Sequence, residues 1–130
     1  MQEVYDFLKK CGTYYLATVE NGQPRVRPFG TVSMFENKLY LQTGKSKDVF
    51  KQLCENPKVE LCALADGCWL RVSGTLVCDD RTAPQKFLLD QYPELQTMYQ
   101  PDDGNTAVLY FQNASATLYS FTSEPRQLSI

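Results

Sequence analysis

Apolar residues recur at helical spacing in the first eleven positions: Val4, Phe7, Leu8 and Cys11 fall on one face, and Gly12 follows directly. The pattern predicts an amphipathic helix stopped by glycine and laid over a sheet or barrel end. From Tyr14 to Glu20 the period changes to two, and Asn21-Gly22 is the pair that suits a tight hairpin, whose central residues take positive φ. A second strand is predicted from Pro24 to about Phe35. Pro24 and Pro28 cannot donate to a ladder, so this strand must lie at an edge, carry a bulge or turn its proline side to a ligand. Glu36-Asn37 turns into a third strand, Lys38 to Thr43. Ser46 to Glu55 then predicts a helix with Val49, Phe50, Leu53 and Cys54 as its apolar stripe, ended by Asn56-Pro57.

Val59 to Ala65 is a near-continuous apolar strand; Asp66-Gly67 turns it into Cys68 to Cys78, a second hairpin. Thr82 and Gln85 have capping-box spacing and open a helix with Phe87 and Leu88 inward, which Pro93 breaks into a short turn or helix over Leu95 to Tyr99. After a polar loop, Pro101 to Asn105, two closing strands are predicted, Ala107 to Phe111 and Thr117 to Phe121, separated by Asn113-Ala114-Ser115. About seven antiparallel strands with no strand-helix alternation give a mainly β fold, a closed or split barrel with flanking helices over its openings.

A length of 130 residues, 43% apolar and 22% charged, fits one domain over 1–130 with a packed core. The net charge of −2 supplies no positive field for a nucleic-acid backbone, so nucleic acid is not an expected partner. Glu3, Asp6, Lys9 and Lys10 interrupt any signal-peptide apolar run and no segment reaches membrane-spanning length, so a cytoplasmic protein without a membrane partner is expected. The five cysteines, Cys11, Cys54, Cys62, Cys68 and Cys78, include no C-x-x-C pair and point to reduced, mostly buried thiols rather than a disulfide framework or zinc site. Histidine is absent, which removes the usual general base, haem ligand and zinc ligand; chemistry here is expected to arrive with a cofactor.

Gly44-Lys45-Ser46 looks like the end of a P-loop, but Leu39 stands where that motif needs glycine. What remains is a strand end, the Thr43 hydroxyl, a flexible Gly44, cations at Lys45 and Lys47 and a helix start at Ser46, an arrangement that favours an anion. Taken alone, these residues read more readily as a capped helix with solvated lysines. Arg25 and Arg27 share a strand face with Phe29, which suits a phosphate beside a ring system, or equally a charged edge that resists strand addition. Trp69 and Arg71 also share a face, and a lone Trp is more often core than ligand contact.

The order Arg27-Pro28-Phe29-Gly30, Leu39-Tyr40-Leu41-Gln42-Thr43, Lys45-Ser46-Lys47 and Leu53-Cys54-Glu55-Asn56-Pro57-Lys58-Val59 resembles the pyridoxamine 5'-phosphate oxidase-like family of FMN-binding split barrels, over roughly Tyr14 to Phe121. The resemblance implies a split β-barrel of about six to seven strands, a homodimer, and FMN at the subunit interface. It further implies flavin contacts from Arg27, Pro28, Phe29 and Gly30, from Gln42 and Thr43, and a phosphate ligand at Lys45 or Lys47, with Arg25 and Ser46 alongside. Val49 stands where relatives usually carry that lysine, and Trp69 where they often carry a flavin-touching glutamine. Val32 replaces the substrate-gripping lysine of true pyridoxamine phosphate oxidases and their Arg-x-His is missing, so vitamin B6 oxidation is not expected. The missing histidine also argues against the nitroimidazole-reductase-like and haem-handling branches, leaving nicotinamide and deazaflavin branches open. The expected function is a flavin-dependent oxidoreductase acting on a small-molecule substrate the sequence does not identify, with Tyr40, Tyr110 or water as proton sources. The alternative is a non-catalytic flavin store, sensor or carrier, and a barrel without cofactor would purify colourless.

Overall fold

The computed structural model describes residues 1–130. Helix α1 (Gln2–Cys11) leads into strands β1 (Tyr14–Glu20), β2 (Gln23–Phe29), β3 (Ser33–Phe35) and β4 (Lys38–Gly44), followed by helix α2 (Asp48–Glu55). Strands β5 (Lys58–Ala65) and β6 (Cys68–Asp79) precede helix α3 (Thr82–Asp90), a 3₁₀ turn at Pro93–Thr97, and strands β7 (Thr106–Ser120) and β8 (Arg126–Leu128). The sheet is antiparallel and runs β2-β1-β5-β6-β7-β4-β3, with β8 added to β7. It is a split barrel: β2 and β3 follow each other in the chain yet end up at opposite ends of the ladder.

The predicted turns hold for a simple reason. Asn21-Gly22 and Asp66-Gly67 carry positive φ at both positions, 50° and 79° in the first and 54° and 74° in the second, where Asn, Asp and Gly cost least. Pro24 and Pro28 lie on β2, whose ladder partner is β1 alone, so their missing N–H groups break no second ladder.

The structure corrects the sequence reading in several places. The strand expected from Pro24 to Phe35 is divided, because Gly30 to Val32 leave the ladder and cross from one end of the sheet toward the other. The Asn113 segment does not separate two strands but forms a bulge within one long strand. Between Ser73↔Ser115 and Thr75↔Gln112, Gly74 faces both Asn113 and Ala114, and Asn113 absorbs the extra residue at φ 52°. Thr82 caps nothing: it is already helical, its hydroxyl donates to Asp102 Oδ2 at 2.5 Å, and Gln85 Oε1 accepts from Asp102 N at 2.8 Å. Helix α2 starts at Asp48 with Lys47 as N-cap, not at Ser46. The thiols are less buried than expected: Cys54 and Cys62 are exposed and the other three half-buried, all five unpaired. Cys62 alternates outward on β5, and Cys54 lies on the solvent side of α2. Phe87 is likewise half outside, while Leu88 and Leu89 fill the inward side of α3.

The core is one cluster inside the barrel, with Val4 and Leu8 of α1 and Val49 and Leu53 of α2 packed onto Leu16, Leu41, Leu61, Leu70 and Leu109. A smaller cluster joins Tyr40 and Val108 to Leu88 and Tyr92 beneath α3. Beside it Arg81 binds Asp79 and Glu36 together, at 2.8 Å and 2.5 Å, and Tyr40 donates to Asp79 Oδ2 at 2.8 Å. The Arg81 hydrogen bonds, then that of Tyr40, hold the Asp79 carboxyl down at about 2 against the cost of burial. A carboxyl depressed on folding stabilises above its unfolded pKa and loses that contribution as pH falls through the folded one. The urea midpoint of the wild type should therefore fall between about pH 4 and pH 2, and Asp79→Asn should lower it at neutral pH and flatten that acid limb; an unchanged limb would show that Asp79 plays no part.

Candidate functional site

Where the ladder opens, the chain satisfies its own backbone with hydroxyls. Tyr14 donates to Thr31 O at 2.6 Å, Tyr92 Oη accepts from Val32 N at 3.0 Å and donates to Val32 O at 3.1 Å, and Gln42 N donates to Thr31 Oγ1 at 3.1 Å. These bonds hold Gly30–Val32 apart from both sheet ends and leave a groove of about 410 Å³, within the usual range for a small-molecule site. Its walls are Arg27, Pro28, Phe29, Gly30 and Thr31 from the β2 side and Gln42 and Thr43 from β4. Lys47 and Val49 come from the start of α2, and Tyr92, Glu94, Leu95, Met98 and Tyr99 from the segment after α3.

Seven of the residues singled out in the sequence thus meet here: Arg27, Pro28, Phe29, Gly30, Gln42, Thr43 and Lys47. Four do not. Lys45 pairs with Asp80 at 3.3 Å, away from the groove. Ser46 is exposed and its N–H donates to Asn105 Oδ1 at 3.0 Å. Arg25 pairs with Glu20 at 3.1 Å in a polar hollow that adjoins the groove and shares Arg27, Lys47 and Val49 with it. Trp69 lies on β6, stacked on Tyr119 at 5.5 Å and 10° and beside Phe121, outside the groove. Tyr40 and Tyr110 are also outside; burial first, then its bond to Asp79, pushes the Tyr40 phenol up to about 12.

The phosphate cradle read into Thr43 to Lys47 is built differently from expectation. Lys45 N donates to Asn105 O at 2.6 Å and Lys47 N to Gly44 O at 3.1 Å, so with Ser46 the three amides from Lys45 to Lys47 are already used. What it presents to the groove is Lys47 and Thr43; in the first turn of α2 the Phe50 and Lys51 amides donate to Lys47 O, which leaves those of Asp48 and Val49 with no carbonyl behind them. Asp103 makes this possible. Its carboxylate accepts from the N–H groups of Gln100, Asn105 and Thr106, at 2.9, 2.8 and 2.6 Å, which holds it well below the usual carboxylate range and fixes the loop that carries Asn105.

Arg27 and Lys47 are the cationic residues of the groove, and neither forms an ion pair with a carboxylate. Burial lowers the Arg27 pKa, with Asp48 and Glu20 opposing, and its guanidinium stays charged. A Cβ at Gly30 would meet nothing of the chain closer than Gly12 O at 3.7 Å, so that glycine leaves open space rather than relieving a clash. Two cations without ion-pair partners, the Thr43 hydroxyl and the apolar side chains of Phe29, Val49, Leu95 and Met98, beside the polar Thr31, Gln42 and Glu94, fit a molecule that joins a phosphate to a flat ring, as FMN does.

Tyr92, Leu95, Met98 and Tyr99 were missed as site residues. Their spacing by three and four was visible in the sequence, but nothing there said that this short segment would fold back over β4.

The pyridoxamine 5'-phosphate oxidase family matches residues 1–119. The chain belongs to that family. The crystal structure of a NimC/NimA family protein from Clostridium acetobutylicum is 45% identical, with a TM-score of 0.92, covering 98% of this chain and 93% of that one. A pyridoxamine 5'-phosphate oxidase-related, FMN binding protein from Nostoc punctiforme shares the fold at 16% identity and a TM-score of 0.65, over 99% of this chain and 94% of that one. A heme binding protein from Mycobacterium smegmatis shares it at 12% identity and a TM-score of 0.78, over 98% of this chain and 56% of that one. No curated protein sequence matches the chain.

One contact in the groove wall is close enough to test by substitution. A Cβ on Gly44 would stand 2.9 Å from Tyr99 Oη and 3.2 Å from Asn105 Nδ2. Gly44→Ala should displace Tyr99 and cost about 1–3 kcal/mol in chemical denaturation; an unchanged midpoint would mean that the 3₁₀ wall moves freely.

Proposed function

We propose that this protein binds FMN in the groove and, through the bound flavin, acts as an oxidoreductase on a small molecule. The observation that carries the reading is that Arg27 and Lys47, both without ion-pair partners, line one groove with Phe29, Val49, Leu95 and Met98, where Glu94 is the one acidic residue. Their charge-assisted hydrogen bonds suit a phosphate, and Phe29, Val49, Leu95 and Met98 suit a ring system and exclude water from it. Of the two lysines left open by the sequence, Lys47 is the phosphate ligand, since Lys45 is held by Asp80. When bound, the flavin supplies hydride and electron transfer. The chain supplies orientation and charge. Tyr92 and Tyr99 are the phenols that line the groove, and the Tyr92 hydroxyl is committed to Val32, which leaves Tyr99 as the side chain able to relay a proton.

True pyridoxamine phosphate oxidation is not part of the proposal: Val32 is buried in the core at the position of the substrate-gripping lysine, and histidine is absent. The 45% identity to a NimC/NimA family protein outweighs the missing histidine as a guide, and the nitroimidazole-reductase-like branch stands again beside the nicotinamide and deazaflavin ones. A cytoplasmic location belongs to the same reading, supported by five unpaired cysteines; no helix is long and apolar enough to cross a membrane.

The proposal includes a homodimer with FMN at the subunit interface. It is supported by the outer face of the sheet, where Tyr15, Leu64 and Phe121 are 53%, 69% and 89% exposed beside the Trp69–Tyr119 stack, an exposed apolar surface of the kind that marks an interaction site. In that arrangement Trp69 belongs to the interface and reaches flavin across it rather than within its own subunit.

Fluorescence titration with FMN should show binding by the wild type and at least about tenfold weaker binding by the Arg27→Ala, Lys47→Ala double variant; equal retention would remove the site. Bleaching of the bound flavin by NADH or NADPH, with recovery on adding an acceptor, separates an oxidoreductase from a flavin store or carrier. Sedimentation equilibrium should give the mass of a dimer, shifted toward the monomer by Trp69→Asp; a monomeric wild type would overturn the interface.

A further inference from the structure

Two arginines share one face of β2, and their surroundings differ in charge. Arg25 Nε donates to Glu20 Oε1 at 3.1 Å and is neutralised there. Arg27, two residues on and lining the groove, is held by neutral acceptors: Nη1 donates to Leu16 O at 3.1 Å and Nη2 to Gln52 Oε1 at 2.5 Å.

Gln52 is a buried amide on a helix whose apolar stripe would have served without it. Its orientation is over-determined. Oε1 receives Arg27 and also the buried Thr18 hydroxyl, at 2.5 Å, while Nε2 faces Glu20 Oε2 at 3.5 Å. A flipped amide would set its N–H groups against the guanidinium and its oxygen against the carboxylate, so one arrangement alone satisfies all three neighbours. The amide therefore bridges Arg27 to Glu20 and keeps the two from pairing directly. The guanidinium is fixed through two donors, keeps the rest of its five for a ligand, and keeps its full charge.

We infer that Gln52 is a positioning residue: by holding Arg27 through a neutral amide that Thr18 clamps and Glu20 backs, it makes the groove select a phosphate-bearing flavin over the same flavin without phosphate. The inference rests on the FMN reading above and concerns which flavin binds, not whether one does. A carboxylate at position 52 has the same shape and would pair with Arg27, taking from the phosphate the charge that attracts it. Thr18 does not line the groove, and its hydroxyl is linked to Arg27 through the Gln52 amide.

Titrating FMN and riboflavin against wild type, Gln52→Glu and Thr18→Val tests this by flavin fluorescence, with thermal melts alongside. The wild type should prefer FMN by at least about tenfold, Gln52→Glu should bind the two flavins about equally with riboflavin affinity unchanged, and Thr18→Val should lose about threefold of the preference. Retention of the full FMN preference by Gln52→Glu would overturn the inference, as would equal weakening of both flavins, which a purely structural role produces. If Gln52→Glu does not fold, Thr18→Val decides on the same criterion. A wild type that binds both flavins equally refutes the phosphate role of Arg27 and this inference with it, whereas one that binds neither refutes the FMN reading itself.

Discussion

Everything distinctive in this fold follows from a stretch of three residues, Gly30 to Val32, that leaves one end of the sheet and must reach the other. Buried backbone without a ladder costs roughly 1–3 kcal/mol for each unpaired group, so such a crossing exists only where other donors and acceptors replace the missing strand. Tyr14 and Tyr92 do so from distant parts of the chain, and Thr31 of the crossing in turn accepts from Gln42 N of β4. The hydroxyl of Tyr92 satisfies both polar groups of Val32 at once, which ties the segment after α3 to the crossing and brings a wall of the groove with it. The groove is thus a by-product of a topological need: the sheet stays split because its connection is propped open by side chains.

Around that opening the electrostatics is arranged by subtraction. The helix start offers Lys45 and Lys47, β2 offers Arg25 and Arg27, and the structure neutralises one of each pair, Lys45 with Asp80 and Arg25 with Glu20. The two left over line the same cavity. A surface ion pair contributes little to stability, but here such pairs determine which cations stay free for a ligand. The loop pinned by Asp103 makes a comparable selection among backbone donors, engaging Lys45 and Ser46 through Asn105 and leaving Asp48 and Val49 at the start of α2.

Much of this was legible in the residues. Hairpin turns could be read because positive φ restricts their residue types, and the prolines of β2 because a missing N–H is tolerated only at an edge. The convergence of Arg27, Gln42, Thr43 and Lys47 followed from the family's motif order. Asn113-Ala114-Ser115 reads as a break between two strands because a run of small and polar residues suits a break and a bulge alike, and only the pairing of β6 with β7 tells them apart. Gln52 and Tyr92 escaped notice for another reason. Their roles are defined by partners tens of residues away, and a polar side chain on a helix or an aromatic in a loop gives no local sign of what it will meet.

The long strand β7 has an implication for how the protein comes into being. It pairs with β4 through Tyr40↔Tyr110 to Gly44↔Thr106 and with β6 along most of its length. During synthesis the β1–β2 and β5–β6 hairpins can zip as they emerge, since their contacts are local. The β4 edge, which carries Gln42 and Thr43, must wait until β7 has left the ribosome. The groove is consequently completed only after β7 has emerged, and until then an apolar strand edge stays uncovered, the condition under which chaperones are recruited and stalled products aggregate.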